Sequence, residues 1–131
     1  MTEVSKAKTY DAFWKSFGLN AYEENSVPTG KKKPSMPYIT YESATGTFNE
    51  TIMLNASIWT RSPSWERALE IADEVSQKIT NGGYIQSSVD DTGVIWIKKG
   101  QPFLQRMPDE AEDDMVKRIL LNLEVEFISE D

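Results

Sequence analysis

The sequence predicts an α/β fold of the α+β kind: a mainly antiparallel sheet with two helices packed on one face, in the order α-β-β-α-β-β-β. Three observations predict it. Lys117 to Ile128 alternates, with Ile119, Leu121, Leu123, Val125 and Phe127 on one side and Asn122, Glu124 and Glu126 on the other, the period-2 pattern of a half-buried strand. Two upstream segments carry apolar residues at helical spacing and supply the layer such a strand packs against. No catalytic, phosphate-cradling or metal-binding motif interrupts these patterns.

Each element has its own local reason. Tyr10, Phe13, Trp14 and Phe17 share one helical face and Gly18 supplies a stop, so the first helix is expected from about Ser5 to Phe17. Asn20, Asn25, Pro28, Gly30 and Pro34 then punctuate 19–35 as a long loop, with Lys31, Lys32 and Lys33 inside it. Met36 to Glu42 is rich in β-formers, and Pro37 sits at its edge. Thr51 to Thr60 alternates, with Ile52, Leu54, Ala56 and Ile58 facing one way and Met53, Asn55, Ser57 and Trp59 the other. These two strands are expected to form a hairpin.

Ser62-Pro63 reads as the start of the second helix, serine as N-cap and proline at the first helical position. Trp65, Ala68, Leu69, Ala72, Val75 and Ile79 form its stripe, and Asn81-Gly82-Gly83 ends it. Tyr84 to Val89 and Val94 to Lys98, joined by Asp90-Asp91-Thr92-Gly93, read as a second hairpin. A long loop is expected over about 100–116, because Pro102, Pro108 and an acidic run fall there.

The 131 residues fit a single domain, 1–131, whose core at this length buries roughly two-thirds of the surface of the unfolded chain. Cysteine and histidine are both absent, which removes disulfides, thiolate chemistry, the usual neutral-pH general base and the commonest zinc ligand. The net charge of −7 argues against a nucleic-acid surface. Most of the acidic excess is local, in Asp109, Glu110, Glu112, Asp113 and Asp114. The first residues lack an apolar leader core and no stretch is apolar enough to span a bilayer, so a soluble protein made in the cytoplasm is expected, with no membrane partner.

The acidic run lacks the central glycine and terminal glutamate of a calcium-binding helix-loop-helix and is read as solvated charge. Gly82-Gly83 and Gly93 serve turns and match no phosphate-binding pattern. No catalytic, cofactor-binding or metal-binding residue is assigned, and no cofactor is expected. The lysine triplet reads as a solvated loop tip or an electrostatic docking point. Trp59 shares its face with Met53, Asn55 and Ser57, a surface too polar for a core and too rich in large side chains for ordinary exposure. Tryptophan and methionine are enriched at protein interfaces, so this face reads as a subunit contact or as one capped by a loop or helix.

The order of elements, the strand Met36-Pro37-Tyr38-Ile39-Thr40-Tyr41, the strand Glu50 to Thr60 running into a helix at Ser62, and the closing strand Ile119 to Phe127 together resemble the tail-terminator and tail-completion proteins of long-tailed bacteriophages. The resemblance covers most of the chain and lies in pattern and order, without a sharp signature. It implies a homo-oligomeric ring, typically a hexamer, in the virion. Such a ring sits on the last ring of tail-tube protein, ends polymerisation of the tube and offers a surface to a head-completion or connector protein. It implies no catalysis and no sequence-specific nucleic-acid binding. By that resemblance and the face argument, Met53, Asn55, Ser57 and Trp59 are expected in subunit packing. Lys31, Lys32 and Lys33, and the acidic residues Asp109, Glu110, Glu112, Asp113 and Asp114, are expected to contact neighbouring components, where opposite charges would make ring formation salt-sensitive. The alternatives are another phage neck or minor capsid protein, an acidic inhibitor or DNA-mimic binding protein, and a carboxylate-metal enzyme.

Overall fold

Residues 1–108 and 113–130 are described in the computed structural model of the chain. They form helix α1 (Glu3–Lys15), strands β1 (Asn20–Glu23), β2 (Tyr38–Tyr41) and β3 (Thr51–Arg61), helix α2 (Glu66–Lys78), and strands β4 (Tyr84–Ser87), β5 (Gly93–Arg106) and β6 (Val116–Ser129). One six-stranded sheet results, in the order β1-β2-β3-β6-β5-β4. Every neighbouring pair is antiparallel except β1 and β2, which run parallel. The fold is α+β, as expected.

The period-2 pattern of β6 does what it predicts. Ile119, Leu121, Leu123, Val125 and Phe127 are all buried on one face, where Ile58, Ala56 and Leu54 of β3 and Ile95 and Ile97 of β5 join them. Both helices cover this face. Tyr10, Phe13 and Trp14 come from α1, and Ala68, Ile71, Ala72 and Val75 from α2, with Ile79 just beyond it. Burial of the larger of these side chains, about 1.5–3 kcal/mol for each Val, Leu, Ile or Phe against exposure, holds the two layers together. Among the described residues, no helix lies on the opposite sheet face.

Five expectations are corrected. Thr2 caps α1, its hydroxyl accepting from the Ser5 N–H at 3.1 Å, so the helix runs from Glu3 to Lys15 instead of Ser5 to Phe17. The expected loop 19–35 contains β1, whose Ala21 and Tyr22 pair with Ile39 and Thr40, and a short 3-10 turn at Gly30–Lys32. Helix α2 begins three residues beyond Pro63. The Ser62 hydroxyl accepts from the Ser64 N–H and the Ser64 hydroxyl from the Glu66 N–H, so serine turns lead into the helix while Trp65 holds the cap position.

The fourth correction concerns 100–116. Strand β5 continues to Arg106, past a register shift between Lys99 and Leu104, so β5 and β6 pair over most of their length. Pro102 is accommodated at the shift, where a missing N–H costs no ladder bond. Asn122 on β6 closes the gap, its amide donating to the Pro102 carbonyl at 2.8 Å and to the Gln105 side chain at 3.1 Å. In the second hairpin the first strand ends at Ser87, not Val89, and residues 88–92 turn around the Ser88 hydroxyl, which accepts from the Thr92 and Gly93 N–H groups.

Candidate interaction surface

The helix-free face is built by the residues that alternate with the core. From β3 these are Met53, Asn55, Ser57 and Trp59, opposite Glu124, Asn122, Leu120 and Arg118 of β6. The four β3 residues singled out from the sequence therefore do lie together on the face opposite the helices, where Tyr38 of β2, which pairs with Trp59, is buried. They are not equivalent. Met53 is 57% exposed and Asn55 is exposed, Trp59 is half-buried, and Ser57 is buried, its hydroxyl accepting from Nε of Arg118 at 3.0 Å.

Trp59 anchors a strip that crosses four strands. Its ring stacks on Tyr38 of β2 with centroids 6.5 Å apart and planes 26° from parallel, and Tyr38 meets Tyr22 of β1 edge-to-face at 6.2 Å. On the other side of Trp59 in the strand order, the Arg118 guanidinium lies 5.0 Å from its ring centroid. The indole N–H donates to the Thr40 hydroxyl at 3.0 Å. Each cross-strand pair reinforces the sheet and fixes its neighbour's rotamer. Burial pushes the Tyr38 hydroxyl above its ordinary pKa, so it stays neutral through the physiological range.

This strip was legible in part. Trp59 and Tyr38 announced themselves as large aromatics on β-patterned segments, but Tyr22 lay in a segment read as loop. Arg118 is not singled out by the sequence.

The charged residues fare differently. Lys31, Lys32 and Lys33 are exposed on and just after the 3-10 turn, and none forms an ion pair with a described residue. Asp109, Glu110 and Glu112 lie outside the described residues. Asp113 is held within its own subunit, 2.6 Å from Arg61 of β3. The Met115 N–H and then Arg61 draw its carboxyl below the usual carboxylate range. Lys117 donates to the Asp114 carbonyl. The described part of the acidic run is thus folded back on the end of the sheet. Among the described residues, no three carboxylates come close enough to share a metal ion, and no helix is long and apolar enough to cross a membrane.

One cavity of about 390 Å³ lies between α1, the end of β1 and the connection from β2 to β3. Tyr10, Tyr41, Phe127 and Ala44 give it apolar walls, and Glu3, Lys6 and Glu23 its charges. Lys6 is only 2% exposed. Its ammonium donates to the Thr47 carbonyl at 3.1 Å, pairs with Glu3 at 3.4 Å, and lies within 4.8 Å of the Phe48 and Phe127 ring centroids. The Tyr41 hydroxyl donates to Asp11 at 2.6 Å, and burial followed by this bond raises its pKa.

Comparison of the chain with protein-family models, curated proteins and solved structures gives no match.

Proposed function

We propose that this protein is a phage structural component. It forms a homo-oligomeric ring, a hexamer by the resemblance, at the head-proximal end of the tail tube. There it ends tube polymerisation and offers a surface for head joining. Its partners are further copies of itself, the tail-tube protein and a head-completion or connector protein, and it works by shape and self-association without bond-making or bond-breaking. The observation that carries this reading is the helix-free sheet face with its Tyr22, Tyr38, Trp59 and Arg118 strip and the adjacent exposed Met53. Tyr, Trp, Arg and Met are the residue types enriched in protein contacts, and side chains already locked by their neighbours lose little entropy when a partner docks.

The sheet edges support association through a face. Strand β4 pairs with Val94 to Ile97, so residues 98–106 of β5 have no strand paired on that side among the described residues. That edge carries Lys98, Lys99, Pro102 and the register shift, all features that disfavour pairing with another strand. The opposite edge, β1, is only four residues long.

Sedimentation velocity across a concentration series tests the reading, with Trp59→Ala and Met53→Glu beside the parent chain. Concentration-dependent association that both substitutions weaken while the fold survives is the expected result. Association that neither affects removes the sheet face from the proposal.

A further inference from the structure

We infer that the acid-rimmed cavity beside α1 is a socket for the Lys31–Lys33 turn of a neighbouring copy of this chain. The inference rests on the ring reading and names a contact within it. The cavity's volume, about 390 Å³, is that of a small ligand pocket, and Tyr10, Tyr41, Phe127 and Ala44 give it walls suited to an aliphatic chain.

Its charges select what such a chain carries. Lys6, the one cation among the lining residues, is engaged by Glu3, by the Thr47 carbonyl and by two aromatic rings. Glu23 is then left in excess. Its carboxylate is fixed by the Asn25 N–H at 3.1 Å and the Ser26 hydroxyl at 3.2 Å, neither of which cancels its charge. An apolar stem ending in a positive charge fits apolar walls with a negative rim, and that is the form of a lysine side chain.

The longest lysine run in the chain, and its only triplet, is Lys31–Lys33. It is presented on a turn closed by the Lys33 N–H donating to the Gly30 carbonyl at 3.2 Å, with no ion pair to any described residue. Asp113, a candidate partner for it by sequence, is taken by Arg61 of its own subunit. Socket and turn are different patches of one surface, so their association is heterologous and generates rings or filaments.

Charge reversal tests this on the full chain. One variant carries Lys31→Glu, Lys32→Glu and Lys33→Glu; the other carries Glu23→Lys. Each alone sets like charges against each other, and each is expected to weaken association at least about tenfold in sedimentation velocity. An equimolar mixture restores complementarity at every contact of an alternating, even-membered ring and is expected to recover assembly. Circular dichroism melts close to the parent's establish that each variant is folded. If the parent assembles and the variants assemble equally well, or the mixture fails to recover, the socket is refuted and the ring reading stands. A parent that stays monomeric at every concentration refutes both.

Discussion

Removing the Trp59 side chain measures how far the aromatic strip is part of the folded subunit. In Trp59→Ala the stack on Tyr38 is lost, worth about 0.5–1.5 kcal/mol beyond simple burial. The Arg118 contact at 5.0 Å adds about 0.5–1 kcal/mol, and the bond to Thr40 about 0.5–1.5 kcal/mol. Because the ring is half-buried, water rehydrates Thr40 and Arg118 once it is gone, which places the net loss in the lower half of the summed range, about 2 kcal/mol. Trp59→Phe keeps most of the stack and loses the indole bond, so about 1 kcal/mol is expected. Urea melts followed by far-UV circular dichroism measure both losses. Doubling the Ala variant with Tyr38→Ala should reveal a coupling of about 0.5–1.5 kcal/mol. A Trp59→Ala loss below about 0.5 kcal/mol, or strictly additive losses, would refute the interlocked strip.

Gly93→Ala tests the closeness of β5 and β6: an added Cβ would lie 2.1 Å from the Ile128 carbonyl oxygen and 2.9 Å from Cε of Met1, so a loss above about 3 kcal/mol is expected in the same melts. Asp90 accepts from the Thr92, Ser5 and Ser88 hydroxyls, Thr92 first, and these bonds draw its carboxyl well below the ordinary carboxylate range. Its folded pKa lies below the unfolded one, so its contribution is present above about pH 4 and disappears as pH falls through the depressed value; Asp90→Asn should flatten the stability profile on the acid side. Tyr41 is the reverse case, raised by burial and then by its bond to Asp11. Its contribution is present below about pH 10 and is lost as pH climbs toward the raised value, so Tyr41→Phe should flatten the alkaline limb in a pH series of melts.

Signals spread over many residues were the ones the sequence made legible. The strict alternation of β6 identifies its core face, and the expected α2 stripe identifies Ala68, Ala72, Val75 and Ile79, but it leaves out the fully buried Ile71 and takes in Trp65 and Leu69, which are only half-buried. Short or interrupted elements were not legible. Strand β1 has four residues, begins with Asn20, and takes its pairing from β2 across fourteen intervening residues, 24–37, information that no local window contains. Gly100 and Pro102 read as breakers in β5, yet the glycine lets the backbone approach Asn122, whose carbonyl oxygen would lie 2.9 Å from an added Cβ, and the proline occupies an irregular edge. Ser62-Pro63 carried a capping signal that the chain spends on a turn before the helix.

The surface divides in the same way. Face membership of Met53, Asn55, Ser57 and Trp59 followed from alternation alone, whereas the Arg118 partnership depends on β3 and β6 being neighbours. Lys6 shows the limit of residue type as a guide. A lysine on a helix reads as solvent-facing, and the one contrary signal was spacing, since Lys6 continues the Tyr10, Phe13 and Phe17 stripe by one turn toward the amino end. The acidic run invited a role in contacts between subunits, but Asp113 spends its charge on Arg61 nearby.

Electron microscopy of the purified chain at high concentration, with light scattering on the same sample, most directly tests whether this protein acts by self-association. Closed rings of uniform diameter, with a mass equal to a whole number of subunits, are the predicted result. A single monomeric species at every concentration and ionic strength would contradict it.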